Sequence, residues 1–193
     1  MIKKHVMDHW EQVLRHEASQ LSSLSFFNPN FMSLAHPHPL WTTAGSSPAE
    51  VAMATIQGQM ISGRYRTEQL ASYWYNNKSG FCLLSPECFD TKEDIFHILA
   101  ACPKLQQTRQ KLAAFTLAYC EKFPHIKKLV LQLCSPTNPL FCQFLLDCSV
   151  IPEVITALQN DDHLVHNLFH IGRTWVYTLH KERMKMLGRW NPL

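Results

Sequence analysis

The sequence has no hydrophobic run long enough to cross a membrane. A spanning helix needs about 20 consecutive apolar residues, whereas the richest stretch, LFCQFLLDCSVI at 140–151, is shorter and contains Asp147. The N-terminal stretch MIKKHVMDHWEQVLRHEA is amphipathic and charged, so it lacks the apolar centre of a secretory signal. These absences favour an intracellular protein, in the nucleus or the cytoplasm and without a membrane partner, whose cysteines stay reduced.

Catalytic motifs are also missing. The sequence contains no Walker phosphate loop, no nucleophile elbow and no H-E-x-x-H helix. A polymerase needs clustered carboxylates that hold two metal ions. The single Asp-Asp pair, Asp161-Asp162, precedes a helical stretch and fits a helix cap instead. The sequence therefore predicts a chain that is not an enzyme.

Alternating strand patterns are almost absent, and most of the chain has helical spacing. Apolar residues recur at helical intervals in 2–24, in 104–123 and in 162–187. Ser47, Pro48 and Glu50 form a helix start with a capping box. With 46% hydrophobic and 17% charged residues, the chain has ample material for a core. The predicted fold class is mainly α.

Three cysteines and one histidine are concentrated in 81–105, FCLLSPECFDTKEDIFHILAACPKL, at the spacing C-x5-C-x8-H-x4-C. Zinc favours four nitrogen and sulfur ligands in a tetrahedron, and its ligating cysteines are usually two to four residues apart. Ser85 and Pro86 predict a turn that brings the first two cysteines together across their wider gap. Two interpretations stay open: a zinc site, or a packed histidine among small apolar thiols. The candidate ligands are Cys82, Cys88, His97 and Cys102.

The second half of this segment predicts a short helix that ends at a proline. Thr91 and Asp94 resemble a capping box, so the helix is expected to begin near residue 92, with His97 in its second turn. Cys102 lies about 140° further round an ideal helix. Because Pro103 disfavours the α conformation at the residue before it, we expect the helix to end at Cys102 and the thiol to turn back.

This cluster divides the chain into four predicted regions. Residues 1–46 contain an N-terminal helix and a proline- and aromatic-rich wrap, and residues 47–80 contain a helical pair with an Arg/aromatic stretch. The zinc-binding module covers 81–103, and 104–193 forms a helical C-terminal region. The expected architecture is short helices around a small Cys-Cys-His-Cys zinc module, followed by a C-terminal helical bundle.

Cations and aromatic side chains are interspersed just before the cluster. Such a mixture can bind phosphates and stack on unpaired bases, but core aromatics beside solvated arginines give the same pattern. The net charge of +3 does not decide between these alternatives. The candidate nucleic-acid-binding residues are Arg64, Arg66, Tyr73, Trp74 and Lys78.

Three further groups have structural explanations. His163, His166 and His170 have a helical spacing that suits a metal, but no fourth ligand lies nearby in the sequence. The basic end of the last helix, which includes Arg183, complements the helix dipole. The other cysteines lie in apolar runs and are predicted to be buried thiols, namely Cys120, Cys134, Cys142 and Cys148.

The stretch 61–105 resembles the zinc-finger-like region near the C-terminus of non-LTR (LINE-type) retrotransposon reverse transcriptases. In that family a paired-cysteine turn precedes an acidic segment, then H-x4-C-P, then a helix that carries an arginine. The corresponding features here are Cys82 and Cys88, then Glu93 and Asp94, then HILAACP, then Arg109. The wide gap after Cys82 departs from the family pattern.

The resemblance implies that the four candidate ligands bind Zn²⁺ and that the module contacts RNA or DNA, with Arg109 added to the contacting residues. It also implies a C-terminal piece of an element or a domesticated descendant, with a polymerase-bearing partner or parent polyprotein. The alternative is a zinc-stapled helical scaffold for protein interactions that does not bind nucleic acid.

Overall fold

A computed structural model describes residues 2–21, 24, 26–27, 37–158 and 162–189. Within these ranges the chain forms nine α-helices and no β-strand beyond a single isolated bridge, which confirms the mainly α fold class. None of these helices is long and apolar enough to cross a bilayer. Asp161 and residues 25 and 28–36, which belong to the predicted proline- and aromatic-rich wrap, lie outside the described residues.

The helices are α1 (Ile2–Ser19), α2 (Pro39–Thr42), α3 (Pro48–Ile61), α4 (Glu68–Trp74), α5 (Gln106–Cys120), α6 (Pro124–Leu133), α7 (Phe141–Leu146), α8 (Pro152–Leu158) and α9 (Asp162–Met186). Short 3₁₀ turns occupy Pro86–Cys88, Pro103–Leu105 and Cys148–Val150, and a π turn occupies His97–Ala101.

One helix boundary agrees with its sequence prediction and another does not. The side chain of Ser47 accepts a hydrogen bond from the backbone N–H of Glu50, so the predicted start of α3 is confirmed. The first helix is shorter than predicted, because α1 ends at Ser19. The backbone N–H groups of Gln20 and Leu21 bond to carbonyls three residues back, which tightens the last turn and ends the helix.

Helix α9 is the axis of the fold, because it packs against α2, α3, α5, α7 and α8 and against the turns of the Cys/His segment. Trp175 on α9 is completely buried and its Nε1 donates to Thr116 Oγ1 on α5 at 2.8 Å. The ring of Phe141 meets this indole edge-on, with 5.5 Å between the ring centroids. The long last helix therefore supplies the surface on which the shorter ones assemble.

Helix α9 comes unusually close to α7 at Gly172. A Cβ atom added to Gly172 would lie 2.4 Å from the carbonyl oxygen of Leu145, a backbone atom that cannot turn away. Nearby, Gln57 Nε2 donates to the carbonyl oxygens of Leu145 and Leu146, each at 2.8 Å, and so satisfies acceptors at the end of α7.

We expect Gly172→Ala to destabilise the protein by about 1–3 kcal/mol, because the methyl group forces α7 and α9 apart. This cost opposes the gain of about 1 kcal/mol that alanine usually brings to a helix interior. Gly58→Ala is the matched control, since its added Cβ would meet only the side chains of Leu40 and Trp41, at 3.2 and 3.3 Å. Urea unfolding of both variants tests this; equal stabilities would contradict the close approach.

Candidate metal centre

The first two cysteines lie on a small hairpin-like loop. An antiparallel bridge pairs Phe81 with Lys92 at its open end. At its far end the 3₁₀ turn Pro86–Cys88 follows Ser85, whose side chain accepts a hydrogen bond from the backbone of this turn. The turn predicted at this point is therefore present, and it returns the chain from Cys82 so that both thiols face one interior space.

The histidine and the last cysteine are joined by a π turn. The backbone N–H of Cys102 donates to the carbonyl of His97 at 2.7 Å, a hydrogen bond from residue i+5 to residue i. Cys102 therefore lies one π turn after His97, on the same side of the chain, and not about 140° around the axis as in an ideal α-helix. With φ of −58° and ψ of 117°, Cys102 leaves the helical region, as the proline after it predicts.

The predicted helix start near residue 92 is wrong. Helical residues begin at Ile95, and the carboxylate of Asp94 caps them by accepting from the backbone N–H of His97 at 2.6 Å. The reason is that the preceding residues are paired with the other side of the loop: the N–H of Glu93 donates to the carbonyl of Gly80 at 3.0 Å. This pairing keeps the chain extended until Asp94.

The four candidate ligands converge on one point. One ligand atom from each of Cys82, Cys88, His97 and Cys102 lies within 4.8 Å of all the others, and all four residues are buried. The Sγ atoms of Cys82 and Cys102 are 4.0 Å apart. Zinc–sulfur bonds of about 2.3 Å in a tetrahedron place sulfur atoms about 3.8 Å apart, so this spacing fits a shared ion. It is twice the length of a disulfide bond, and the seven cysteines are free.

The buried thiols favour a cation between them. Burial raises the pKa of Cys82, Cys88 and Cys102, because an isolated thiolate is poorly stabilised away from water. Backbone hydrogen bonds oppose this effect, from Leu84 to the Cys82 sulfur and from Lys104 and Leu105 to the Cys102 sulfur. Such donors on a sulfur stabilise its thiolate form, which is the form that ligates metals.

The imidazole of His97 also fits a ligand. Both of its ring nitrogens are buried and neither has a hydrogen-bond partner, whereas buried polar groups in proteins are nearly always paired. Burial lowers the pKa of His97, with Glu93 and Asp94 opposing this, and so favours the neutral ring, in which one nitrogen keeps its lone pair. A metal ion satisfies that nitrogen. The cluster can therefore hold a metal ion on the side chains already in place.

Arg109 lies against this cluster, which corrects the expectation that it contacts nucleic acid. Its side chain is buried, with 7% exposure, and Nη2 donates to the carbonyl of Cys102 at 2.6 Å. Burial lowers the pKa of Arg109, and the Cys102 thiol opposes this by charge attraction. A guanidinium held here cannot reach a phosphate from solvent. Three thiolates around a divalent cation would carry a net charge of −1, which Arg109 is placed to balance.

A buried ion pair ties the cluster to the last helix. Glu93 is completely buried, and one of its carboxylate oxygens accepts hydrogen bonds from Arg183 of α9 and from the backbone N–H of Glu68, the latter at 2.9 Å. The Arg183 guanidinium carbon is also 5.6 Å from the centroid of the Tyr65 ring. Arg183 is thus a buried structural cation rather than an exposed complement to the helix dipole.

The other predicted nucleic-acid contacts lie on the surface. Tyr73 and Trp74 are 72% and 77% exposed, so the alternative that they belong to the core is wrong. Arg64 and Arg66 are exposed and form no ion pair within the part of the chain that the structure describes. Lys78 forms an ion pair within the protein, because its Nζ lies 3.7 Å from the carboxylate of Glu68.

The three histidines of α9 and the four other cysteines do not belong to a metal-binding cluster among the described residues. Of the described residues, only Cys82, Cys88, His97 and Cys102 form a group of three or more metal-ligating side chains close enough to share an ion, so the three histidines of α9 do not. His170 instead packs against the ring of Tyr119, with 5.6 Å between the centroids. The other four cysteines are buried as predicted: Cys120, Cys134, Cys142 and Cys148.

Comparisons with protein-family models, with curated proteins and with solved structures find no match to this chain.

Proposed function

We propose that this protein is a zinc-structured, non-catalytic module that binds RNA or DNA. The observation that carries the proposal is the convergence of three buried thiols and one buried imidazole on a single point. Thiolate ligands favour zinc over magnesium, calcium or manganese. A set of four protein ligands leaves no coordination position open for a substrate, which is typical of structural zinc sites. Zn²⁺ would therefore hold the segment 81–103 in shape.

An exposed surface beside the cluster supports nucleic-acid binding. We call it the aromatic-basic surface and define it as Arg64, Arg66, Tyr73 and Trp74. Large aromatic side chains with most of their area in solvent are uncommon and mark interaction sites when they are grouped. Aromatic faces stack on bases and exposed arginines bind phosphates, which together form a binding surface for nucleic acid. The resemblance to retrotransposon reverse transcriptases supports the same function.

The cluster and this surface are physically connected. The carboxylate of Glu93 lies between the two halves of the cluster segment and accepts from the N–H of Glu68, the first residue of α4. Tyr73 and Trp74 are the last two residues of the same helix. Because α4 has only 7 residues, it is too short to be stable alone. A filled metal site would therefore hold the aromatic-basic surface in place through Glu93.

The proposal predicts nucleic-acid binding that weakens steeply with salt. We expect the double variant Arg64→Gln/Arg66→Gln to bind a single-stranded RNA 12-mer more weakly than the unaltered chain. Its slope of log affinity against log salt should be shallower by about 1.4, since each phosphate contact in a single strand contributes about 0.7. Fluorescence anisotropy at salt concentrations from about 50 to 200 mM measures both the affinity and its dependence on salt.

The matched control is Lys111→Gln/Lys128→Gln, which removes two exposed cations from α5 and α6. It should leave the salt slope within error of the unaltered chain. Equal effects of the two double variants would mean that binding depends on net charge alone. A zinc-loaded chain that binds neither RNA nor DNA at low salt would favour the alternative, a zinc-stapled protein-interaction domain.

A further inference from the structure

A pocket of about 490 Å³ opens beside the metal centre, between α4 and the short helix that leads into the π turn. Its lining includes Gly63, Gln69 and Tyr73 from one side and Asp94 and Phe96 from the other. This volume lies within the range of small-molecule sites, about 300–1,000 Å³. The pocket also lies next to the aromatic-basic surface, because Tyr73 belongs to both.

Two exposed aromatic rings stand at this pocket on different elements. Tyr73 of α4 is 72% exposed, and Phe96, the residue just before His97, is 52% exposed. Phenylalanine is among the residues most often buried, so an exposed ring beside a cavity is informative. Each ring offers a π face, and stacking on such faces is how unpaired bases are held without sequence preference.

The polar side chains of the pocket suit the edge of a base. Gln69 makes no side-chain hydrogen bond with any described residue, so its amide has both a donor and an acceptor to offer. Asp94 uses one carboxylate oxygen to cap the N–H of His97 and keeps the other. A carboxylate accepts from the amino groups of bases, whereas it repels phosphate. The pocket therefore favours a base over the backbone.

Two arginines that could contact the nucleic-acid backbone are adjacent in sequence to residues that line the pocket. Arg64 follows the lining residue Gly63 in sequence, and Arg66 precedes another lining residue, Thr67. Both arginines are exposed and form no ion pair among the described residues, and the Arg66 guanidinium carbon lies 5.6 Å from the centroid of the exposed Tyr75 ring. The lining thus carries one carboxylate, that of Asp94, and two exposed cations adjoin lining residues in sequence, which suits one nucleotide with its base turned inward and its phosphates outside.

We infer that this pocket binds one unpaired base of a single-stranded nucleic acid, an inference that rests on the nucleic-acid binding proposed above. The observation behind it is that one cavity is lined by two exposed rings, an amide that makes no hydrogen bond with a described residue, and a carboxylate with one oxygen still available. A base in a duplex is stacked and paired, so it can enter only after the duplex opens. The protein therefore prefers single strands to duplexes of the same sequence.

The test measures binding of a fluorescein-labelled RNA 12-mer of mixed sequence, alone and annealed to its complement, to the zinc-loaded full chain. Removing one stacking ring, by Tyr73→Leu or Phe96→Leu, should weaken single-strand binding about 5- to 150-fold, the range expected for one lost base stack. Tyr73→Phe keeps the ring and should bind as the unaltered chain does. Duplex binding should be weaker at the outset and change little in any variant.

Leu117→Ala is the control, since Leu117 is an exposed apolar residue on α5, 44% accessible, away from the pocket lining. It should leave both affinities unchanged. Single-strand binding that survives both leucine variants, or equal binding of single strand and duplex, would overturn the pocket inference and leave nucleic-acid binding standing. A chain that binds neither probe would overturn both. Because Tyr73 is largely exposed, its variants report on binding without loss of the fold.

Discussion

Removal of the metal is expected to lower the melting temperature of this protein by about 10–20 °C. Structural zinc sites contribute roughly 10–16 kcal/mol of binding free energy, which is comparable with the whole net stability of a domain. For a chain of this size each kcal/mol lost shifts the melting temperature by about 2–4 °C, so a net loss of only about 5 kcal/mol, the lower end of a domain's net stability, already gives this range. The four candidate ligands belong to the buried interior, so the loss of an ion from between them would be felt by the core.

Thermal unfolding followed by circular dichroism, with and without a chelator, measures this effect. Metal analysis of protein purified under reducing conditions should find one zinc ion per chain. Cys88→Ser and His97→Ala should each lose that ion and melt as the chelated protein does. Cys142→Ser is the control, because Cys142 is a buried thiol outside the cluster. A metal-free protein that melts at the same temperature as the loaded one would refute a structural zinc site.

Replacement of Arg183 by methionine is expected to cost about 3–5 kcal/mol. The change leaves the carboxylate of Glu93 completely buried without its cation, and a buried charge that has lost its partner is strongly destabilising. The corresponding fall in melting temperature is about 6–20 °C. Loss of this contact should also loosen α4, because Glu93 holds the N–H of Glu68.

A double-mutant cycle separates this ion pair from the general cost of changing α9. Glu93→Gln with Arg183→Met removes both charges while keeping an acceptor for the N–H of Glu68, so it should be more stable than Arg183→Met alone. Lys185→Met is the surface control, since its pairing with Glu182 is solvent-exposed and should change stability by less than about 0.5 kcal/mol. An Arg183 variant as stable as the Lys185 variant would contradict a buried pair.

Local sequence signals were enough to predict the parts of the site that depend on neighbouring residues. Ser47 capped α3 as its side chain predicts, and Pro103 ended the helix at Cys102 as its ring predicts. The spacing of three cysteines and one histidine singled out side chains that do converge, including Cys82, despite the wide gap that follows it. These features need only a few residues of chain to form.

Features that depend on tertiary packing could not be predicted. The π turn has no residue signature of its own, and it forms where the chain must bring His97 and Cys102 to one point. The resemblance implied that Arg109 contacts nucleic acid, yet its side chain is buried against the cluster. The partner of Glu93 lies 90 residues away in α9, and no local pattern can indicate a contact at that separation.

The distribution of these contacts along the chain also determines the order in which a growing polypeptide can assemble them. All four metal ligands emerge from the ribosome between positions 82 and 102, close together in time. Arg183 is added 90 residues after Glu93, which at about 5–20 residues per second is a delay of roughly 5–18 seconds. During translation the cysteine loop can therefore form, and could take up a metal ion, before the helix that carries Arg183 is available to pair with Glu93.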